Sequence, residues 1–108
     1  MLLATALPVS AVQASPSEIL ADADKYDGQN VTVTGRVANL RETVSRKGNP
    51  YFTFDISDGK ATIRIFSFGK SACRQGSTAT VEGRFDKVKR VGRYTFSNEV
   101  EATRLVCQ

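Results

Sequence analysis

Two seven-residue stretches decide the fold of this chain, Val31-Thr32-Val33-Thr34-Gly35-Arg36-Val37 and Ala79-Thr80-Val81-Glu82-Gly83-Arg84-Phe85. In each, apolar residues alternate with polar ones, the period-two pattern of a strand that buries one face. In each, a glycine stands two positions after the central valine (Val33, Val81), with arginine next and an apolar residue after that. Glycine weakens a strand interior and is expected where the strand bulges, bends sharply or lets another backbone approach. Two strands with the same device predict a sheet that curls. The copies are too isolated for a repeat architecture.

Working outward, the first strand continues past Gly35 through Val37, Ala38 and Leu40. Arg41 to Asn49 is polar and basic, with Lys47-Gly48-Asn49-Pro50 as a turn. Tyr51 to Ile56 reads as a second strand, Ser57-Asp58-Gly59-Lys60 as a tight connection, and Ala61 to Phe68 as a third strand. Gly69 to Gly76 is a connector. Ser77 to Val88 is the fourth strand, Lys89 to Gly92 a turn, and Arg93 to Val106 the fifth strand. Upstream, Ser15-Pro16-Ser17-Glu18 opens a short helix with a hydroxyl cap, a first-turn proline and an acid near the positive end of the dipole. Asp27-Gly28 stops it. The whole predicts an all-β, five-stranded, partly open Greek-key barrel with a short N-terminal helix.

A chain of 108 residues is one domain's worth, and 41% hydrophobic with 24% charged residues excludes wholesale disorder. Histidine is absent, which removes the commonest general acid/base and the commonest metal ligand. No phosphate-cradling glycine loop, nucleophile elbow or metal-ligand cluster is present. Asp55 and Asp58 are close in sequence, but Asp58-Gly59 is explained as turn chemistry. The expectation is therefore a non-enzymatic protein with no catalytic residues, no metal and no cofactor. The net charge is +4, unevenly spread: four acids face one base between Ser15 and Asn30, and nine bases face two acids between Lys60 and Tyr94. A basic second half suits a polyanionic partner, although an ordinary soluble surface explains so small a charge equally well.

Met1 to Ala14 carries no charge, and the apolar run Leu2–Val9 is too short to span a bilayer. Val12-Gln13-Ala14 before Ser15-Pro16 has the form of a signal-peptidase site. Residues 1–14 are thus expected to be an export signal or its remnant, and residues 15–108 the mature domain, periplasmic or secreted. The basic region that should precede the run is missing, and a docked or disordered apolar tail is the alternative. Cys73 and Cys107 are an even pair in a chain expected to enter an oxidising space, which would permit a bridge; two free thiols are the alternative.

From about Gly28 to Val106 the residues resemble the OB-fold nucleic-acid-binding superfamily, in particular the anticodon-binding type of domain shared by tRNA synthetases and bacterial nuclease and polymerase subunits. The resemblance rests on Val33-x-Gly35-x-Val37, on Lys47-Gly48-x-x-Tyr51-Phe52-x-Phe54-x-Ile56-x-Asp58-Gly59, on Ile63-x-Ile65-Phe66 and on Val81-x-Gly83-x-Phe85. The chain departs from synthetase-like members in having no catalytic domain attached and in its expected export, where it looks like small periplasmic OB proteins. An exported haem-chaperone relative depends on a histidine, which this chain lacks. In an OB barrel the third and fifth strands run parallel side by side, which implies that Cys73 and Cys107 lie close together.

The resemblance also implies where a ligand lies: across the second and third strands, between the loop joining strands one and two and the loop joining strands four and five. The first of those loops is expected to carry Arg41, Arg46 and Lys47, and the second Lys87, Lys89, Arg90 and Arg93. Alternation puts Tyr51, Arg64 and Phe66 outward, with Phe68 at the edge of the set and Tyr94 beside the second loop. Exposed rings next to basic loops suit single-stranded DNA or RNA, bound with weak sequence preference. Burial of Phe66 and Phe68 in the core is the competing expectation. The rival function is an exported envelope interaction module that binds a protein or an anionic polysaccharide, and in either case the domain is expected to act as a monomer.

Overall fold

The computed structural model describes residues 11–108, so the apolar run Leu2–Val9 of the expected leader lies outside the described residues. The two quoted stretches pair with each other. Val31 sits opposite Gly83, Val33 opposite Val81 and Gly35 opposite Ala79, in antiparallel register, so the near-copies form the seam that closes the sheet into a ring.

The elements in chain order are β1 (Val12–Gln13), α1 (Pro16–Ala21), α2 (Ala23–Tyr26), β2 (Asn30–Val44), β3 (Pro50–Ser57), β4 (Thr62–Phe68), β5 (Thr78–Val91) and β6 (Tyr94–Cys107). The five expected strands are β2 to β6. Sheet order is β1-β2-β3-β4-β6-β5, closed by β2 on β5, and β4 runs parallel to β6 as the Greek-key connection requires. Phe54, Ile56, Ile63, Ile65, Val31, Val33, Val81, Phe85 and Val100 fill the barrel at 0–1% exposure.

Gly35 marks the place where β2 leaves β5 and takes up β3. A Cβ there would collide with the Ser57 carbonyl, and one on Gly83 with the Glu101 carbonyl. Close backbone approach is what the repeated glycines permit. The β-bulge of β2 lies further on, between Ala38 and Arg41, where Asn39 takes a left-handed conformation (φ 53°).

Three boundaries differ from expectation. β2 runs on to Val44, because Arg41 to Val44 pair with Thr53 back to Pro50. β5 runs on to Val91, and a two-residue turn, Gly92–Arg93, joins it to Tyr94. Polar, two-sided segments can extend a hairpin beyond the barrel, where neither face needs a core. The expected single helix is two, broken at Asp22 (φ −145°, ψ 56°), since aspartate is a weak helix interior and neither piece is long enough to hold it.

The N-terminal end is tied down. Ser15 caps α1, its hydroxyl accepting from the Glu18 N–H and its own N–H donating to the Glu18 carboxylate. β1 pairs with β2, the Ala14 N–H donates to the Thr32 carbonyl, and Ala14 is buried. The end of the expected leader therefore packs against the barrel. Cys73, in the connector after β4, is bridged to Cys107 at the end of β6, with Cα atoms 5.3 Å apart. Among the described residues no helix is long and apolar enough to cross a membrane, and no cluster of metal-ligating side chains occurs.

Candidate binding face

Alternation along β3 and β4 sends Phe52, Phe54, Ile56, Ile63 and Ile65 into the barrel and leaves the opposite parity outside. Tyr51 therefore lies beside Phe68, Thr53 beside Phe66, and Asp55 beside Arg64. β6 continues the face with Glu99 next to Arg64 and Glu101 next to Phe66. The β5–β6 arm adds Lys89 opposite Phe96, and Val91 opposite Tyr94. On this face, all of these side chains except Thr53 and Asp55 line an open, largely apolar groove of about 780 Å³. Tyr51 and Arg64 also border a neighbouring hollow of about 430 Å³ walled by Arg41, Glu42 and Thr43, so the face extends from β6 across to β2.

The rings form a connected set. Tyr51 and Phe66 stack with centroids 5.3 Å apart, and Phe66 meets Phe68 edge-on at 4.9 Å. Phe68 is 68% exposed and Tyr94 61%, so the expectation of a core Phe68 is overturned. Phe66 is half-buried, and the Lys89 ammonium lies 4.8 Å from its ring centre. The open rings of the groove are accordingly Phe68 and Tyr94, and Phe66 backs Phe68.

The floor of the groove is charged but balanced. Glu99, only 2% exposed, accepts from Arg64 Nε at 2.8 Å and from Lys89 Nζ at 3.1 Å, and Lys89 also donates to Glu101 at 3.0 Å. Two bases thus meet two acids. Burial pulls the Lys89 ammonium towards its neutral form, but the hydrogen bonds to Glu101 and Glu99 outweigh it, and its pKa is raised on balance. On the rim the balance is different. Arg41, Arg46, Lys47, Arg90 and Arg93 are exposed and form no ion pair among the described residues. Arg46 on the β2–β3 turn faces Arg93 and Tyr94 on the β5–β6 turn across a hollow of about 350 Å³, so the two basic loops meet.

Of the residues expected at the site, Tyr51, Arg64, Phe66, Lys89 and Tyr94 line the groove, and Arg41, Arg46 and Arg93 line the hollows beside it. Arg41, Lys89 and Arg90 belong to strands rather than loops, because both arms are longer than expected. Lys87 is not part of the set. Its ammonium binds Asp24 at 2.7 Å, which raises its pKa, and its backbone N–H donates to Asp27, so it fastens α2 to β5. Phe96, Glu99 and Glu101 were missing from the expectation. Asn98 lies between Phe96 and Glu99 in the left-handed region (φ 56°), which breaks the alternation and lets residues of opposite parity share one groove.

No protein-family model and no curated protein sequence matches the chain. Its structure is similar to solved ones. A chain in the crystal structure of yeast Stn1 and Ten1 matches with a TM-score of 0.71 and 12% identity, covering 93% of this chain, which spans 64% of that one. A lipoprotein of Klebsiella pneumoniae subsp. pneumoniae, to which nucleic-acid binding is attributed, matches at 0.60 and 19% identity over 91% of this chain and 92% of its own. The OB domain of Ta0387 from Thermoplasma acidophilum matches at 0.56 and 21% identity over 89% and 86%. At these identities the common property is the fold.

Proposed function

We propose that this OB-fold domain binds single-stranded nucleic acid without catalysing a reaction, the bases entering the β3–β4–β6 groove and the phosphates following its rim. One observation carries the reading: two widely exposed rings, Phe68 and Tyr94, stand in a groove whose two bordering turns bear unpaired arginines. Rings of this kind stack on any base for about 1–3 kcal/mol each, and rim bases neutralise phosphates. The charge-balanced floor gives phosphate no net attraction whereas the rim is cationic, which sets bases in and backbone out. The Cys73–Cys107 bridge suits an oxidising compartment. A lipoprotein with the same fold is a precedent for an exported member, and export remains part of this proposal.

Amide chemical-shift mapping with a short single-stranded oligonucleotide tests it. Shifts concentrated on Arg41, Tyr51, Arg64, Phe66, Phe68, Lys89 and Tyr94 are expected. Shifts confined to the α1–β1 end, or none at millimolar ligand, would refute it. A second reading, an envelope protein partner, is favoured by Val44, Val88 and Val91, which stand 50–62% exposed on the arms. That reading predicts no oligonucleotide binding and capture of the partner through the arms.

A further inference from the structure

The proposed function treats bases as interchangeable stacking partners, but the groove floor carries hydrogen-bonding groups of definite sense. Resting on that reading, we infer that the groove prefers guanine, whose Watson–Crick edge is read by Glu101 together with Lys89.

Glu101 neighbours Phe66 on the β4–β6 ladder and lines the same groove as the exposed Phe68 ring. Its Oε1 accepts from Lys89 Nζ at 3.0 Å, while its Oε2 has no hydrogen-bond partner among the described residues. The side chain is 36% exposed, so that oxygen opens to an incoming group. A carboxylate only accepts, and each oxygen has two lone-pair sites. Lys89 commits two of its three N–H groups, to Glu99 and Glu101. The pair therefore offers one donor beside a two-oxygen acceptor, fixed by a partner, Glu99, that is itself 2% exposed.

Guanine presents the complement. Its O6 accepts, and its adjacent N1–H and N2–H groups donate side by side, as a bidentate carboxylate contact needs. Thymine and uracil share the first two features, but set a carbonyl oxygen where guanine has the N2 amine, so the second carboxylate oxygen meets a like partial charge. Cytosine and adenine offer one exocyclic amine each. Unstacked bases in single strands expose these edges, and a bidentate contact gives strong discrimination.

The test is competition anisotropy with three dodecamers: thymidine throughout, the same with two central guanines, and the same with two central inosines, which lack the N2 amine. Guanine is expected to tighten binding on the order of tenfold over thymidine, with inosine recovering only part of the gain. In Glu101→Gln the guanine advantage is expected to fall below about twofold, because an amide can present either sense to the edge. Equal affinity for all three dodecamers overturns the guanine preference and leaves the nucleic-acid reading standing, whereas binding of none overturns both. Retention of the preference in a folded Glu101→Gln also overturns the assignment. The inosine arm carries the test if that variant does not fold.

Discussion

The ammonium of Lys89 lies 4.8 Å from the ring centre of Phe66 while donating to Glu99 and Glu101. One cation thus ties the β5–β6 arm to the face of β4, and the floor of the groove is held by charge as well as by rings. Glu99 is the centre of that arrangement, since Arg64 and Lys89 both depend on it. Removing Glu99 leaves Arg64 without its partner while Lys89 keeps Glu101, so Glu99→Ala is expected to cost about 1.5–3 kcal/mol in urea unfolding. Glu101→Ala, at the solvent edge, should cost about 1 kcal/mol or less. Similar losses in the two variants would show that Glu99 is not the anchor.

The Cys73–Cys107 bridge joins positions 34 apart and closes a loop that contains the end of the Greek-key connector and all of β5 and β6. Chain-entropy arguments assign such a loop about 3–4 kcal/mol. Thermal unfolding with and without reductant reads it directly. The Cys107→Ser variant should match the reduced protein, and an unchanged midpoint in both would mean that the bridge adds no stability.

Asp58 links the β3–β4 turn to α1. Its carboxylate accepts from the Ser17 hydroxyl and N–H and from the N–H groups of Lys60 and Ala61, with the Ser17 hydroxyl foremost in holding its pKa well below the usual carboxylate range. A depressed folded-state pKa confers stability that is complete above the unfolded value near ~4 and fades as pH falls below it. The thermal midpoint of the wild type should therefore drop below about pH 4. Asp58→Asn should start lower and show a shallower acid limb, and two parallel limbs would refute the assignment.

Gly35→Ala and Gly83→Ala place a methyl group against the carbonyls of Ser57 and Glu101 respectively. Each should cost about 1–3 kcal/mol through forced backbone shifts. Alanine at either site without loss in chemical denaturation would mean that the seam is looser than described.

Much of the fold was legible because its signals are local. The alternation in Val31–Val37 and Ala79–Phe85 identified both seam strands and their glycines, and the alternation in Tyr51–Ile56 and Ala61–Phe68 separated core from face. The arms are longer than their pattern suggests because Arg41–Val44 and Lys89–Val91 pair without entering the barrel core, so polarity conceals the strand. The site was legible only in part. Tyr51, Arg64 and Phe66 follow from period two, but Glu99 and Glu101 join them through the parallel β4–β6 ladder, a contact between segments 35 residues apart. The engagement of Lys87 is hidden for a similar reason, since its partners Asp24 and Asp27 come from the far end of the chain.

The most direct measurement is fluorescence anisotropy of a labelled single-stranded oligonucleotide, DNA and RNA in turn, titrated with the protein across a series of salt concentrations. If the five rim bases each meet a phosphate, log affinity should fall with log salt at a slope of roughly −3.5. The Phe68→Ala, Tyr94→Ala double variant should bind at least about tenfold more weakly at every salt with the slope unchanged. Failure of the wild type to bind at low salt, or binding indifferent to both rings, would contradict the account.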